Sequence, residues 1–257
     1  MSFGLQTFTI RKAQKKSLER AYLPFIKMGI TEFEIARIDF TRKNAERIKA
    51  IFEKHGAKAV SVQVKPKYVF GSPEKIIDFC KIIGCKNVVI SMLPFSSILG
   101  REKIFYSFVD SLDATCDIYA KEGITLAYHH HNWEYIRLSN GKTRMGELIE
   151  RTKKLKFVHD TYWSARSAVP PEKQLREFGE RLLGVHLRDL TFKKKNIKVI
   201  ARDAAVGDGV IDFSEVLSEI SKLGCEYMVI EQKTDTPYAD VKRSFEHLCR
   251  INQGVNI

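Results

Sequence analysis

Eight short apolar runs, each leading into a longer stretch of helical periodicity, recur along these 257 residues, and few folds accept that pattern. The runs are FGLQTFTI (3–10), EFEIARI (32–38), AVSVQVK (59–65), NVVISML (87–93), ITLAYHH (124–130), KFVHD (156–160), LLGVHLRD (182–189) and YMVIEQ (227–232). Several are rich in Val and Ile, the composition of strands buried on both faces. Between them apolar residues return at helical spacing, as at Ala45, Ile48, Ile51 and Phe52, and again at Val216, Leu217, Ile220 and Leu223. Ser72 and Pro73 supply the cap and first turn of one helix, and Gly56, Gly84, Gly123 and Gly224 each separate a helix from the next strand. Eight repeated βα units with no linker between them favour closure into a barrel over an open doubly wound sheet, and about 250 residues is the usual length of one (β/α)8 unit. We therefore expect an α/β chain forming a single TIM-barrel domain over residues 1–257. Neither a GxGxxG nor a GxxxxGKS/T loop follows any run, which removes the main support for nucleotide binding.

Hydrophobic residues at 44% and charged residues at 29% allow a sizeable core. The formal charge of +12 comes from lysines spread over helix faces such as KSLER, RKNAERIKAIFEK and RTKKLK, which read as solvated surface. One dense run, Lys193 to Lys195, is placed in a loop. The balance favours an anionic small-molecule substrate over nucleic acid, and no nucleic-acid partner is expected. No stretch approaches the roughly 20 apolar residues of a membrane span and no secretory pattern opens the chain, so a cytoplasmic protein without a membrane partner is expected. Five cysteines, an odd number without a CxxC pair, argue against a disulfide framework or a thiolate zinc site.

In a barrel of this kind the chemistry comes from the C-terminal ends of the strands. Four of the later runs end in ligand-type residues. The fifth leads into His129, His130, His131, Asn132, Trp133 and Glu134, the sixth ends at Asp160, the seventh carries His186 and Asp189, and the eighth reaches Glu231. Strand alternation puts His129 and His131 on one face and His130 on the other, and it separates His159 from Asp160. Imidazole and carboxylate without thiolate suit one divalent ion, with Mn2+ placed ahead of Zn2+, Co2+, Mg2+ and Fe2+.

YHHHNWEY (128–135), HDTYW (159–163), GVHLRD (184–189), VGDGVIDF (206–213) and IEQ (230–232), in that order, together with the opening FGLQTFTIRK, resemble the sugar phosphate isomerase/epimerase family, also called the xylose isomerase-like barrels. The resemblance covers nearly the whole chain. It implies a metal held by the last four strands, with Asp160, His186 and Glu231 as three ligands and His131 chosen as the fourth, Glu134 being its substitute.

Such a site supports proton removal beside a carbonyl and stabilisation of the resulting enediolate. Glu231 is the candidate base as well as a ligand. His129, and after it Glu134, are candidates for the second acid/base, His129 alternatively orienting a ligand. Trp133, Tyr162 and Trp163 could stack on a sugar or simply pack. Arg188 could hold a substrate anion or bridge to Asp160 or Glu231, and Glu34 suits an inward carboxylate at the pocket. VGDGVIDF reads either as a Gly-hinged cover for the substrate or as a turn whose Asp212 caps the next helix. The leading expectation is a metal-dependent isomerase or epimerase of a keto-sugar or sugar phosphate. The alternatives are a dehydratase or lyase of a keto-inositol or 3-keto-sugar, an abasic-site endonuclease with three metals, and a non-catalytic barrel. Self-association into a homo-oligomer through the helical shell is compatible with any of these.

Overall fold

Eight parallel strands close into a barrel in the computed structural model, which describes residues 2–255. Met1, Asn256 and Ile257, which the expected domain includes, lie outside the described residues. The barrel strands are β1 (Gly4–Gln6), β2 (Glu32–Ile35), β3 (Lys58–Val64), β4 (Asn87–Ile90), β5 (Thr125–His129), β6 (Lys156–Asp160), β7 (Leu182–Leu187) and β10 (Tyr227–Ile230). They follow one another around the wall in chain order, and β1 closes it by pairing Gly4 with Val229 and Leu5 with Ile230 of β10. Gly4 is required there: a Cβ would sit 2.5 Å from the carbonyl oxygen of Glu32.

All eight expected strands form, and most stop short of the C-terminal end of their apolar run. Helices fill the intervals. The helix Arg42–His55 starts where the Thr41 hydroxyl accepts from the Asn44 N–H at 3.3 Å, and it stops at Gly56, whose φ of 67° suits a residue without Cβ. Its Phe52 packs on Phe33 of β2 and on Tyr22, with ring centroids 5.2 and 5.4 Å away. Burial of each such ring stabilises the wall by about 1.5–3 kcal/mol. Inside the barrel Val89, Ala127, Val158, Leu183, Tyr227 and Val229 form a separate small core that fills its lower part.

The Lys193 to Lys195 run lies on a strand and not in a loop. After β7 the chain forms an antiparallel ribbon, β8 (Asp189–Lys195) and β9 (Lys198–Ala204), turning at Asn196 with φ 57°. The sequence hides this ribbon because its outer part buries neither face, so no alternation of apolar and polar residues marks it. Its base is fixed by Asp189, whose carboxylate accepts from the N–H groups of Leu190, Gly207, Gly209 and Ile211 at 2.7 to 3.2 Å. The VGDG segment is thereby held down, and its residues do not border the cavity described below. Of the two readings for VGDGVIDF the structure takes the cap: Asp212 accepts from the N–H groups of Ser214 and Glu215 at the start of helix Phe213–Leu223. Among the described residues no helix is long and apolar enough to cross a membrane.

Candidate metal centre and substrate cavity

His129 is the last residue of β5 and Asp160 the last of β6, His186 lies one residue from the end of β7, and Glu231 follows β10. Parallel register pairs Asp160 with His186, while His129 pairs with Val158, two residues before Asp160, and His186 pairs with Val229, two residues before Glu231. One nitrogen or oxygen from each of the four side chains lies within 4.8 Å of the others, and all four residues are buried. His186 Nδ1 is 2.9 Å from Glu231 Oε2, and His129 Nε2 is 3.3 Å from Asp160 Oδ2. Asp160 is aimed by its own backbone context. Its Oδ1 accepts from the Trp163 N–H at 3.0 Å, capping the helix Thr161–Arg166, which leaves Oδ2 for the cluster.

The residues fit a divalent cation. Burying two carboxylates and two imidazoles is costly unless each polar atom finds a partner. Yet Glu231 Oε2 and His186 Nδ1, both inside the cluster, have no aligned hydrogen-bond partner among the described residues. Nitrogen and oxygen donors without sulfur suit a catalytic transition-metal or Mn2+ site better than a structural zinc cage.

Charge balance in the protein alone follows from these contacts. Burial works against a charged His186, but Glu34 and Glu231 outweigh it and raise its pKa to about 10. For Asp160 burial works against the carboxylate, and Arg188 and His129 overcome it, holding the group well below the usual carboxylate range. Arg188 is itself buried, its Nη1 lying 3.3 Å from Asp160 Oδ2 and 3.2 Å from Glu231 Oε1, with Nε donating to Asp203 of β9 at 2.8 Å. The salt-bridge alternative for Arg188 is therefore the one observed, and the same guanidinium ties the ribbon to the site.

Neither residue expected as the fourth ligand joins the cluster. His131 lies past the end of β5, where its ring is held between Trp133 and Trp163 at centroid distances of 5.0 Å to each. Glu134 is buried and turned back on the strand end: it accepts from the His131 N–H at 2.7 Å and from the Tyr128 hydroxyl, shaping the turn instead of facing the cavity. His129, expected as an acid/base, takes the fourth place. Trp133 braces His131 and does not border the cavity. Glu34 also lies off the cavity, beneath the cluster, with Oε2 accepting from Ser61 Oγ at 2.6 Å and from the Tyr227 hydroxyl at 2.9 Å. Its Oε1 is 2.8 Å from His186 Nε2, a close ionic contact that is not well aligned as a hydrogen bond. His130 faces outward, accepting from the Asp160 N–H at 3.0 Å and lying 3.2 Å from His159 Nδ1, so it ties β5 to β6.

Above the cluster opens a cavity of about 1050 Å³. His129, His131, Tyr162, Trp163, Arg188 and Glu231 border it on the cluster side, and Phe8, Arg11, Arg37, Gln63 and Lys65 border it on the β1 to β3 side. Arg202 and Asp203 of the ribbon roof part of it. The sequence reading missed Arg11, Arg37 and Lys65. Their one signal was position, since each lies within one residue of the end of an early apolar run.

Comparison with known proteins agrees with this architecture. The chain is 28% identical over 205 residues to an inosose dehydratase of Geobacillus thermodenitrificans, a match covering 69% of this chain and 66% of that protein. A sugar phosphate isomerase/epimerase from Parabacteroides distasonis superimposes with a TM-score of 0.76 at 18% identity, covering 96% of this chain and 93% of the other. The IOLI protein with a bound zinc atom gives 0.68 at 16% identity, covering 99% and 98%. At such identities the structural likenesses establish the fold alone. The model of the xylose isomerase-like TIM barrel family matches residues 25–251, and the chain belongs to that family.

Proposed function

We propose that the protein is a divalent-metal-dependent enzyme that removes a proton beside the carbonyl of a small keto-sugar or related polyol and so isomerises or epimerises it. The observation that carries this reading is the buried group of His129, Asp160, His186 and Glu231 at the floor of the cavity. A cation bound by those four residues supplies Lewis-acid stabilisation of negative charge on adjacent substrate oxygens. The protein's own groups do the rest. Burial works against charge on Glu231, but Arg188 and His186 keep its pKa low, so it is ionised and able to accept a proton from carbon. His131 takes over the second proton-transfer role. Burial, with His129 nearby, keeps it neutral, its Nδ1 has no hydrogen-bond partner among the described residues, and it borders the cavity. Tyr162 and Trp163 offer flat walls to the C–H faces of a sugar.

A second reading, dehydration, is favoured by the likeness to an inosose dehydratase. It starts with the same proton removal and continues by expelling a β-hydroxyl. Incubating the metal-loaded protein with a panel of keto-sugars and keto-inositols in D2O tests both. Deuterium on the carbon beside the carbonyl with retention of the carbon and oxygen skeleton supports isomerisation or epimerisation, and loss of water supports dehydration. Absence of exchange from every compound by a protein holding one ion per chain would sink the enolisation reading. Three ions per chain would favour the abasic-site nuclease instead, although among the described residues one group has metal-ligand spacing.

A further inference from the structure

The cavity lies just above the range of about 300–1,000 Å³ usual for small-ligand sites, so the cluster need not engage the whole of a substrate. Its charge is lopsided. Nine lysines and arginines border it against four acidic residues. Lys12 is paired with Asp235, and Arg188 with Asp160, Asp203 and Glu231. The other seven cations have no carboxylate within ion-pair distance among the described residues.

Two of them converge on one ring. The guanidinium carbon of Arg11 lies 4.0 Å from the centroid of Phe8 and that of Arg37 lies 5.2 Å from it. Arg11 is steadied there by donating from Nη1 to the Phe8 carbonyl at 2.8 Å. Arg37 reaches the ring from a left-handed backbone, φ 58°, a conformation that a residue with a Cβ adopts at a cost.

A buried polar clamp holds the chain just before it. Thr7 Oγ1 accepts from the Ala36 N–H at 2.8 Å and donates to the Ala36 carbonyl at 3.1 Å. Gln14 donates to the carbonyls of Thr7 and Ala36 while accepting from the Tyr22 hydroxyl at 2.7 Å. Thr7, Gln14 and Tyr22 are all buried. The clamp fixes Ala36, the residue before Arg37, so that Arg37 and Arg11 both border the cavity on the Phe8 side, and neither has a carboxylate partner among the described residues. Two guanidinium groups without a carboxylate at the edge of a cavity suit an anion that enters it.

We infer that Arg11 and Arg37, with Lys65 following β3 on the same side, form an anion subsite for a phosphate or carboxylate group at the end of the substrate remote from the carbonyl. The inference rests on the proposed enolisation for what happens at the other end, but the anion is held by this chain's own side chains and can be tested without the metal.

Chelator-treated protein at low ionic strength, where exposed charges are least screened, is titrated calorimetrically with inorganic phosphate and separately with D-gluconate. The variants are Arg11→Ala, Arg37→Gly, the two combined and, as a control on an outward position of the ribbon, Lys194→Ala; glycine accepts the backbone of residue 37 without strain. Loss of either arginine should weaken anion binding about tenfold, the effect of one charge-assisted contact, and Lys194→Ala should leave it unchanged. Tighter binding of phosphate identifies a phosphorylated substrate, and tighter binding of gluconate a sugar acid. Failure of both anions to bind the unmodified protein overturns the inference, as does binding that survives loss of both arginines. Because no metal takes part, absence of deuterium exchange in the earlier experiment would leave either result standing.

Discussion

The wall formed by β5, β6, β7 and β10 and the wall formed by β1, β2 and β3 face one cavity, and they handle charge in opposite ways. On the first, acids and imidazoles project from the strand ends themselves, are buried, and lie within a few ångströms of one another. On the second, Arg37 and Lys65 project from loop positions, are exposed and have no ion-pair partner among the described residues, while Arg11 starts a short helix and is half-buried. Interactions between buried charges are strong and their desolvation is costly, whereas exposed charges are weakened by water and salt. Substitutions on the first wall should therefore change stability and metal together, and those on the second should change ligand binding with little loss of fold.

The largest effect is expected from Asp160→Ala. That change removes the cap of the helix Thr161–Arg166 and deprives buried Arg188 and His129 of a counter-charge. Breaking a buried pair from one side costs about 3–5 kcal/mol, which for a protein of this size corresponds to a fall in melting temperature of about 10 °C. Stoichiometric metal should be lost as well. Asp160→Asn keeps an oxygen for the cap, so it should lose the metal but less of the stability. Metal analysis and scanning calorimetry on the pair separate the two roles, and an Asp160→Ala protein that still holds one ion per chain would remove Asp160 from the ligand set.

Glu34→Gln should have an intermediate effect. A carboxylate against the far nitrogen of a ligating imidazole fixes its tautomer and strengthens it as a donor, and loss of such a group typically weakens metal binding about 10- to 100-fold. Glutamine retains an oxygen for Ser61 and Tyr227, so the barrel should stay folded. Competition with a chromophoric chelator measures the change. Unaltered affinity would mean that Glu231, on the other side of the ring, orients His186 without help.

The walls also differed in how far they could be read from sequence. Strands buried on both faces leave continuous apolar runs, and barrel chemistry is confined to their C-terminal ends, so Asp160, His186 and Glu231 are legible among the ligand-type residues there, and the resemblance to the xylose isomerase-like barrels singles them out as a set. The choice between His129 and His131 is not legible, because alternation assigns both to one face. It is decided by where β5 stops: His129 is still paired, opposite Val158, while His131 has swung between two tryptophans. Glu134 misled for a related reason, since the short helix Trp133–Tyr135 turns its side chain back towards Tyr128. On the opposite wall Arg11, Arg37 and Lys65 look like any other surface cations in a chain of charge +12. What distinguishes Arg37 is its backbone angle and the clamp of Thr7, Gln14 and Tyr22, and contacts between residues far apart in the chain leave no local pattern.

That angle gives the smallest predicted effect and the finest test of the contrast. Replacing Arg37 by glycine relieves a left-handed conformation that costs a residue with Cβ about 1–2 kcal/mol, and part of the gain is offset by the greater freedom glycine has in the unfolded chain, about 0.5–1 kcal/mol. The net should be a stabilisation of about 0.5–1 kcal/mol, a rise in melting temperature of about 1–4 °C. Arg37→Ala removes the same guanidinium but keeps the Cβ and hence the strain, so its melting temperature should not rise. If the second wall exists for binding, the two variants lose anion affinity equally while differing in stability. A glycine variant that melts below the unmodified protein would mean that the Arg37 side chain supports the fold through its contact with Phe8, and the division of labour between the walls would then fail at the residue that displays it most clearly.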